Sequence, residues 1–499
     1  MSSRSLSASQ PGPLDRLSAL DVSNLRVEGH GVPMHVAALA IVDGAPLLDA
    51  DGRLRLDEIR ADLERRLHLA PRLRQVLCRM RPGLGPPVWA DDARFDIRQH
   101  VRACAVPAPG DEAALLALCA ALNEPPLDRS RPLWEVWLLP GLADGQAGLL
   151  IRVHHALADG IAALAMIGVL FDSAPAAPPP DAPLPEAPPP DAPLPEAPPP
   201  DAPAWRPRPA PSASRMFADI VRHYAAAVMA APSRLGHPAR VIHRAGSLVR
   251  QVRQLAGEGR APKLSWNRPA GTGRRLMLVR ADLAAAKAVA RAHGATVNDV
   301  MLAAVAGGAG RLLASRGELT PGLAPRASVA ASTRDPRDMA GGGNQVGIML
   351  VPLPASEADP VRRLAEITRA TRERKRRPPY QPAGRVAQRW MVRSMSRQRL
   401  VNLFTSNLPG PAAPMYFGGA RVLEIFQIGV VQGNVTVAVG MLSYAGQLGF
   451  SIVADADAVP DLTIFADGLS DALSQLGAGC ADPAPRQQRT GPGQAETAP

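Results

Sequence analysis

The sequence predicts an α+β fold in two halves that are joined by a proline-rich linker. Strand-like and helix-like segments are interleaved on both sides of that linker. Apolar residues make up 46% of the 499 residues and charged residues 20%, which is sufficient for a sizeable core. Disorder of the whole chain is therefore excluded.

The linker is the clearest boundary. Residues 175–211 contain 18 of the 53 prolines, and the unit PPPDAPLPEA occurs twice, from Pro178 and from Pro188. Such a segment cannot bury a core, so we expect a solvated, extended polyproline II chain, although a docking site for a partner protein is an alternative. The predicted domains are residues 1–174, the linker 175–211, residues 212–481 and a disordered tail 482–499.

In the N-terminal half, apolar runs that predict strands alternate with segments whose apolar residues have helical spacing. Leu56–Leu69 has helical spacing and an acidic start at Asp57, and Gly148–Val153 is an apolar run that leads directly into two histidines. The full prediction is strands at Met34–Val42, Leu133–Leu139 and Gly148–Val153, and helices at Leu56–Leu69, Ala113–Leu122 and Ile161–Leu170.

In the C-terminal half, a basic helix-like stretch, Arg215–Arg260, is followed by a strand and by a helix after Asp282. A β-rich region and a closing helix end the lobe. The predicted strands are Arg275–Val279, Gln345–Pro352, Val422–Val431, Val435–Leu442 and Gly446–Val453, and the predicted helices include Val297–Ala314, Pro360–Arg374 and Asp461–Leu476.

Composition excludes several classes of protein. The first residues lack the apolar core of a secretory signal, and the longest apolar segment, Thr296–Ala314, is interrupted by polar residues, which argues against an integral membrane protein. Four scattered cysteines suit neither a disulfide framework nor a zinc site. We therefore expect a cytoplasmic protein that is not secreted and holds no metal.

The most informative segment is Val153–Gly160, which contains the pattern HHxxxDG. A strand delivers His154 and His155 to a turn that Asp159 and Gly160 close. A neutral imidazole can accept a proton near physiological pH, so this arrangement suits general base catalysis. An ordinary polar pair at the end of a strand is the alternative.

This pattern resembles the active-site motif of the acyl-CoA-dependent acyltransferase superfamily. Further segments resemble the bacterial wax ester synthase/diacylglycerol acyltransferase family. They are Leu17–Val42 with PMHV, Val88–Val101, Pro126–Leu142 with PLW, Thr296–Val300 with ND, Ala331–Pro354 with a GN pair, Thr405–Pro411 and Val453–Pro460. The proline-rich repeat departs from the family pattern and is interpreted as an insertion.

The resemblance implies two chloramphenicol-acetyltransferase-like lobes, each with a mixed β-sheet flanked by helices, and a catalytic histidine in a tunnel between the lobes. It implies that His155 is the general base, that His154 supports the turn, that Asp159 holds the loop and that Gly160 allows the chain to enter the helix. Acyl-CoA would be a substrate, and no cofactor is implied. The acceptor would be diacylglycerol, a long-chain alcohol or both.

Other positions are weaker candidates for substrate or oxyanion contacts. Asn298 is either a helix N-cap or an amide donor to the oxyanion, and Asp299 suits the first helical turn. Trp134 is interpreted as packing rather than substrate contact. The remaining candidates are Arg334, in the segment Ala-Ser-Thr-Arg, and Asn344, Ser406 and Asn407, which are interpreted as turn residues near the crossover between lobes.

Two stretches, Arg215–Arg260 and Thr368–Arg399, are strongly basic. They are either solvated faces or docking surfaces for an anionic membrane or lipid inclusion, and nucleic acid is not expected because no recognition motif accompanies the charge. The sequence thus predicts a membrane-peripheral O-acyltransferase. The alternatives are an acyltransferase with another hydroxyl acceptor and a non-catalytic lipid-binding homologue.

Overall fold

The computed structural model describes residues 14–28, 33–78, 86–157, 160–175, 205–222, 225, 257–332, 346–376 and 395–479. The strands in these ranges are β1 (His35–Asp43), β2 (Gln75–Cys78), β3 (Val88–Asp91), β4 (Val101–Ala103), β5 (Trp134–Pro140), β6 (Gln146–His154), β7 (Arg274–Asp282), β8 (Arg326–Ser332), β9 (Val346–Pro352), β10 (Leu403–Pro409), β11 (Tyr416–Phe417), β12 (Ala420–Ile428), β13 (Val437–Tyr444) and β14 (Gln447–Asp455).

The α-helices are α1 (Ala19–Glu28), α2 (Leu56–Arg66), α3 (Glu112–Asn123), α4 (Gly160–Gly168), α5 (Leu283–Ala292), α6 (Val297–Ser315), α7 (Pro360–Lys375) and α8 (Leu462–Gln475). Residues 213–222 are also helical. Short 3₁₀ helices occupy Ala45–Leu47, Leu67–Leu69, Pro71–Arg74, Ile97–Gln99, Ala143–Gly145 and Met395–Arg397.

Two six-stranded mixed sheets form the two lobes. The first has the order β11-β12-β1-β6-β5-β4, and the second has the order β7-β14-β13-β10-β8-β9. Each sheet combines antiparallel pairs with parallel ones: β4 is parallel to β5, and β10 is parallel to both β13 and β8. The predicted α+β class with a mixed sheet in each lobe is confirmed.

The chain does not divide into lobes at one point. Strand β12 lies in the C-terminal half of the sequence, yet it pairs with β1 in the first sheet. Residues 205–222 also return to the first lobe, where Arg208 pairs with Asp91 at 3.2 Å. The segment 212–481 predicted as the second lobe therefore contributes two strands, β11 and β12, and a helical segment to the first.

Separate apolar clusters fill the lobes, and another cluster joins them. The joining cluster packs α3 of the first lobe against β7 of the second, together with residues of β12; its members include Leu115, Leu116, Cys119, Leu276, Leu278, Phe426 and Ile428. Helix α6 runs through the second core. It is the one helix in the described ranges that is long and apolar enough to cross a membrane, and 72% of that stretch is buried inside the protein, as expected of a core helix.

Candidate active site

Strand β6, which lies between β1 and β5 in the first sheet, leads into the histidine motif. The strand ends at His154, residues 155–157 form a turn, and α4 begins at Gly160. The turn is held from two sides: the backbone N–H of His155 donates to the carbonyl of Met34 at 2.8 Å, and the His155 carbonyl accepts from Asn24 Nδ2 at 3.2 Å. Asp159 lies outside the described residues.

The two histidines have different environments. His154 is fully buried, and its Nδ1 accepts a hydrogen bond from the backbone N–H of Ala156 at 2.9 Å. Because Nδ1 is an acceptor, the ring proton lies on Nε2, which is 3.4 Å from Glu28 Oε2. His154 is thus positioned to hold the turn, whereas His155 is partly exposed.

Glu28 is the residue beneath the motif that sequence reasoning missed. Its carboxylate accepts from Arg129 Nε at 2.7 Å, and Arg129 Nη2 also donates to the carbonyl of Leu25 at 2.8 Å. Burial raises the pKa of Glu28, but the interactions with nearby His154 and with the guanidinium of Arg129 outweigh it and lower the pKa from 4.5 to about 2. The site therefore contains a permanent buried carboxylate directed at His154.

A sequence signal for this pair did exist. Glu28 lies in Leu17–Val42 and Arg129 lies in Pro126–Leu142, both of which were recognised as family-like segments. Both segments carry further charges, such as Asp21 and Arg131, so membership of these segments is the one signal that marks the pair. The sequence alone does not show that the two segments meet.

The structure corrects the interpretation of Asn298 as an N-cap. The N-cap of α6 is Thr296, whose side chain accepts from the backbone N–H of Asp299 in a capping box. Asn298 is the second helical residue and is half buried. The carboxylate of Asp299 accepts from Thr296 and, at 2.7 Å, from the Thr371 hydroxyl. These contacts give Asp299 a structural role.

Trp134 is a packing residue in the described structure. It is 1% exposed, its indole N–H donates to the carbonyl of Leu73 at 2.7 Å, and its ring stacks on His100 with centroids 4.6 Å apart. These contacts place it in the interior of the first lobe.

The prediction that Ser406 and Asn407 are turn residues is wrong. Both lie within β10, paired with Gly440 and Met441 of β13. Their neighbourhood matches the expected crossover, because the Ser406 carbonyl accepts from Gln427 of β12 at 2.9 Å. Arg334 and Asn344 lie outside the described residues. Within the described ranges, no group of three or more His, Cys, Asp or Glu side chains could hold a metal ion.

Comparison with known proteins assigns the family. Residues 17–301 match the model of the wax ester synthase/diacylglycerol acyltransferase catalytic domain, and residues 342–477 match that of the WS/DGAT C-terminal domain. The chain belongs to the wax ester synthase/diacylglycerol acyltransferase family. It is therefore an acyltransferase, as the histidine motif and the accompanying segments predicted.

Relatives of this acyltransferase support the same assignment. A Mycobacterium tuberculosis H37Rv protein described as "probable diacyglycerol O-acyltransferase tgs1" is 32% identical over 497 residues, covering 93% of this chain and 96% of that protein. The wax ester synthase/diacylglycerol acyltransferase from Marinobacter aquaeolei VT8 shares the fold, with a TM-score of 0.62, 23% identity and coverage of 92% of this chain and 98% of that chain.

The fold extends to a second group of enzymes. The starter condensation domain of rhizomide synthetase RzmA, solved with C8-CoA, matches with a TM-score of 0.56 and 15% identity, covering 93% of this chain and 94% of that chain. The predicted two-lobed architecture of the acyltransferase is therefore confirmed.

Proposed function

We propose that this acyltransferase moves a long acyl chain from acyl-CoA to the hydroxyl of diacylglycerol, of a long-chain alcohol or of both, with His155 as the general base. The observation that carries the proposal is the contrast between the two histidines. The Nδ1 of His154 already accepts the Ala156 N–H, and its Nε2 faces Glu28 in the interior. The partly exposed His155 is the one placed to meet a substrate.

The chemistry follows from a base of this kind. His155 would remove the proton of the acceptor hydroxyl as its oxygen attacks the thioester carbonyl. The tetrahedral intermediate collapses with loss of the CoA thiolate, which takes the proton back from His155. The products are an ester and free CoA, so the balance needs no cofactor and no acyl-enzyme.

The test is transfer from palmitoyl-CoA to a panel of acceptors, read by lipid chromatography together with release of free CoA. Acceptor-dependent release distinguishes the proposal from a non-catalytic lipid-binding protein.

His155→Ala should lower the rate by about 10²–10⁴-fold with nearly unchanged thermal unfolding, because the turn residue contributes little to packing. His154→Ala should lower stability as well, because its ring is buried among fixed partners. Retained activity in His155→Ala, with complete loss in a stably folded His154→Ala, would reverse the assignment.

We further propose that the enzyme is cytoplasmic and binds the membrane or a lipid inclusion peripherally, through the helical segment 213–222. Phe217 and Val221 are one helical turn apart, 53% and 49% exposed. Arg222 follows Val221 in the chain; its side chain is 73% exposed and lies 3.8 Å from Asp219, which also pairs with Arg16 of the first lobe. Two exposed apolar side chains on a helix in a basic stretch suit an anionic lipid surface, where each basic residue contributes about 1 kcal/mol.

Co-sedimentation with phosphatidylglycerol-containing and pure phosphatidylcholine vesicles tests this surface. The double substitution Phe217→Ser and Val221→Ser should weaken binding to the anionic vesicles at least about tenfold, since both side chains lose apolar contact with lipid. Val361→Ser is the matched control, because Val361 on α7 is similarly exposed at 45%. Equal binding by the wild type and the double variant would exclude this segment as the docking surface.

A further inference from the structure

The proposed base, His155, lies in a tight turn. The backbone N–H of Leu157 donates to the carbonyl of His154 at 2.8 Å and closes that turn. The peptide group between His155 and Ala156 is therefore the central one of the turn. Its contacts decide how His155 is presented to a substrate.

Both ends of this central peptide group are hydrogen-bonded. Its carbonyl oxygen, which belongs to His155, accepts from Asn24 Nδ2 at 3.2 Å. Its N–H, which belongs to Ala156, donates to His154 Nδ1 at 2.9 Å. The preceding peptide group is held as well, because the His155 N–H donates to the Met34 carbonyl at 2.8 Å. Since φ and ψ are the only soft backbone dihedrals of a residue, holding both flanking peptide planes fixes the Cα–Cβ direction of His155.

Helix α1 supplies both supports of the central peptide group. Asn24 acts on its carbonyl directly, whereas Glu28 acts on its N–H through His154, whose Nε2 lies 3.4 Å from Glu28 Oε2. Asn24 and Glu28 are four residues apart, so they lie on the same face of the helix, one turn from each other. The helix is itself anchored against the turn, because Leu25 and Ala156 are buried in one apolar cluster.

The stability of the helix gives no reason for an asparagine at position 24. Asparagine is a weaker helix former than alanine or leucine and is favoured at N-caps. Ser18, which directly precedes α1, already caps it, since its Oγ accepts from the backbone N–H of Asp21 at 3.1 Å. Asn24 lies in the interior of the helix and is half buried. The hydrogen bond to the His155 carbonyl explains the residue better than helix formation does.

We propose that Asn24 is a positioning residue for acyl transfer, which holds the carbonyl of the central peptide group so that the His155 ring meets the acceptor hydroxyl. The inference rests on the proposed function, in which His155 is the base, and adds a residue that acts through it. A misplacement of about 1 Å can cost about 10²-fold in rate. Loss of the Asn24 contact should therefore lower kcat rather than raise KM.

The first test is Asn24→Leu, which keeps the approximate size of the side chain and removes its donor. In transfer from palmitoyl-CoA to 1-hexadecanol, kcat should fall at least about tenfold and KM should change less than about twofold. The pH at which kcat/KM is half-maximal should not move, because the base changes position and not charge environment. The melting temperature should be nearly unchanged, since leucine favours the helix. Asn24→Ala removes the same donor if leucine does not fit.

Asn267→Leu is the matched control. Asn267 is also half buried, and its Nδ2 donates to the backbone carbonyls of Asn402 and Asn434 in the second lobe, at 2.9 and 3.1 Å. This variant should lower the melting temperature and leave kcat of the folded enzyme within about twofold of the wild type. Unchanged kcat in Asn24→Leu, an equal loss of kcat in the control, or a shifted pH midpoint overturns the positioning role.

The second test is the coupling between Asn24 and Glu28. Because both residues hold the same peptide group, release of either one already frees it. The loss of kcat in the double variant Asn24→Leu/Glu28→Gln should therefore be at least about threefold smaller than the product of the two single losses. A loss equal to or larger than that product overturns the shared support.

Amide hydrogen exchange of residues 153–157, followed by mass spectrometry, is a third test that does not depend on catalysis. Exchange in this segment should be at least about fivefold faster in Asn24→Leu than in the wild type and unchanged in Asn267→Leu. Unchanged exchange in Asn24→Leu overturns the inference. Failure of the proposed function is distinguished from this, because it appears as no acyl transfer by the wild type while the difference in exchange is still measured.

Discussion

At the scale of single residues, the buried carboxylate of Glu28 orients His154. Glu28 is held by Arg129 and faces His154 Nε2, while the Ala156 N–H occupies Nδ1. These contacts fix one tautomer and one ring orientation of His154. They also hold the turn that follows, because Ala156 is part of it. Glu28 thus acts on the position of His155, the proposed base, through His154 and the turn.

Replacing Glu28 tests this dependence. Glu28→Gln keeps the shape but leaves Arg129 without its anion, and breaking a buried pair costs about 3–5 kcal/mol. Because the Arg129 side chain is 28% exposed, we expect a smaller loss of about 2–3 kcal/mol in the free energy of unfolding, measured by denaturant titration. The rate should fall as kcat rather than through KM.

The pH dependence gives a second measurement of the same residue. A carboxyl whose pKa falls from 4.5 unfolded to about 2 folded stabilises the protein above pH 4.5, and this contribution is lost as the pH falls toward 2. Glu28→Gln should therefore flatten the stability profile in that window. Asp15→Asn is the control, because it breaks an exposed carboxylate–arginine pair with Arg72 and should cost no more than about 1 kcal/mol. Equal effects of the two substitutions would contradict the role given to Glu28.

At the scale of elements, close packing of α6 against α8 shapes the second lobe. A Cβ on Gly308 would lie 2.7 Å from the Phe465 carbonyl oxygen, and one on Gly307 would lie 2.6 Å from the Ala472 Cβ. The helices therefore approach closely only because α6 carries glycines at this contact. Glycine inside a helix is otherwise unfavourable, so its presence here is explained by packing.

Gly308→Ala should consequently destabilise the protein, although alanine is the better helix former. Overpacking against a backbone oxygen costs about 1–3 kcal/mol, which exceeds the gain of about 0.4–1 kcal/mol from replacing a helical glycine. The measurement is the midpoint of denaturant unfolding. Gly168→Ala at the end of α4 is the matched control, because a Cβ there meets nothing within 4 Å, and it should be neutral or slightly stabilising. A stabilised Gly308→Ala would show that the two helices can separate without cost.

Elements with strong local signals could be predicted from the sequence, and elements defined by their partners could not. The strand leading to His154 and the helix after Asp282 were predicted because an apolar run and a capping residue mark them. Strands β8 and β10 were missed because alanine, serine, asparagine and proline are poor strand formers, and the adjacent strands of the second sheet impose the conformation. Helix α1 was missed because its apolar residues form no clear stripe.

At the scale of the whole molecule, the proline-rich segment leaves and rejoins the same lobe. Before it, Asp172 exchanges backbone hydrogen bonds with Tyr416 of β11, at 2.8 and 2.9 Å. Within its last seven residues, Trp205 contacts the guanidinium of Arg74 with its ring, and Arg208 pairs with Asp91. The sequence predicted a connection between lobes because composition identifies a segment that cannot form a core. It does not show to which lobe the residues after that segment belong. The same limit explains why β12 could not be assigned to the first sheet from sequence.

The contacts at both ends of the proline-rich segment are with the first lobe, so the segment does not bridge the two lobes. The apolar cluster around α3 and β7 joins the lobes instead. Deleting one PPPDAPLPEA unit should therefore leave acyl transfer and the melting temperature nearly unchanged, since halving a loop changes its closure free energy by only about 0.6 kcal/mol. Deleting residues 213–222 removes the same number of residues but also the Arg16–Asp219 pair and the buried Ile220, so it should lower the melting temperature and weaken vesicle binding. Thermal unfolding, acyl transfer and vesicle binding of both variants are to be measured against the full chain. A severe loss of acyl transfer from the single-repeat deletion would instead indicate that the repeat binds a partner or substrate.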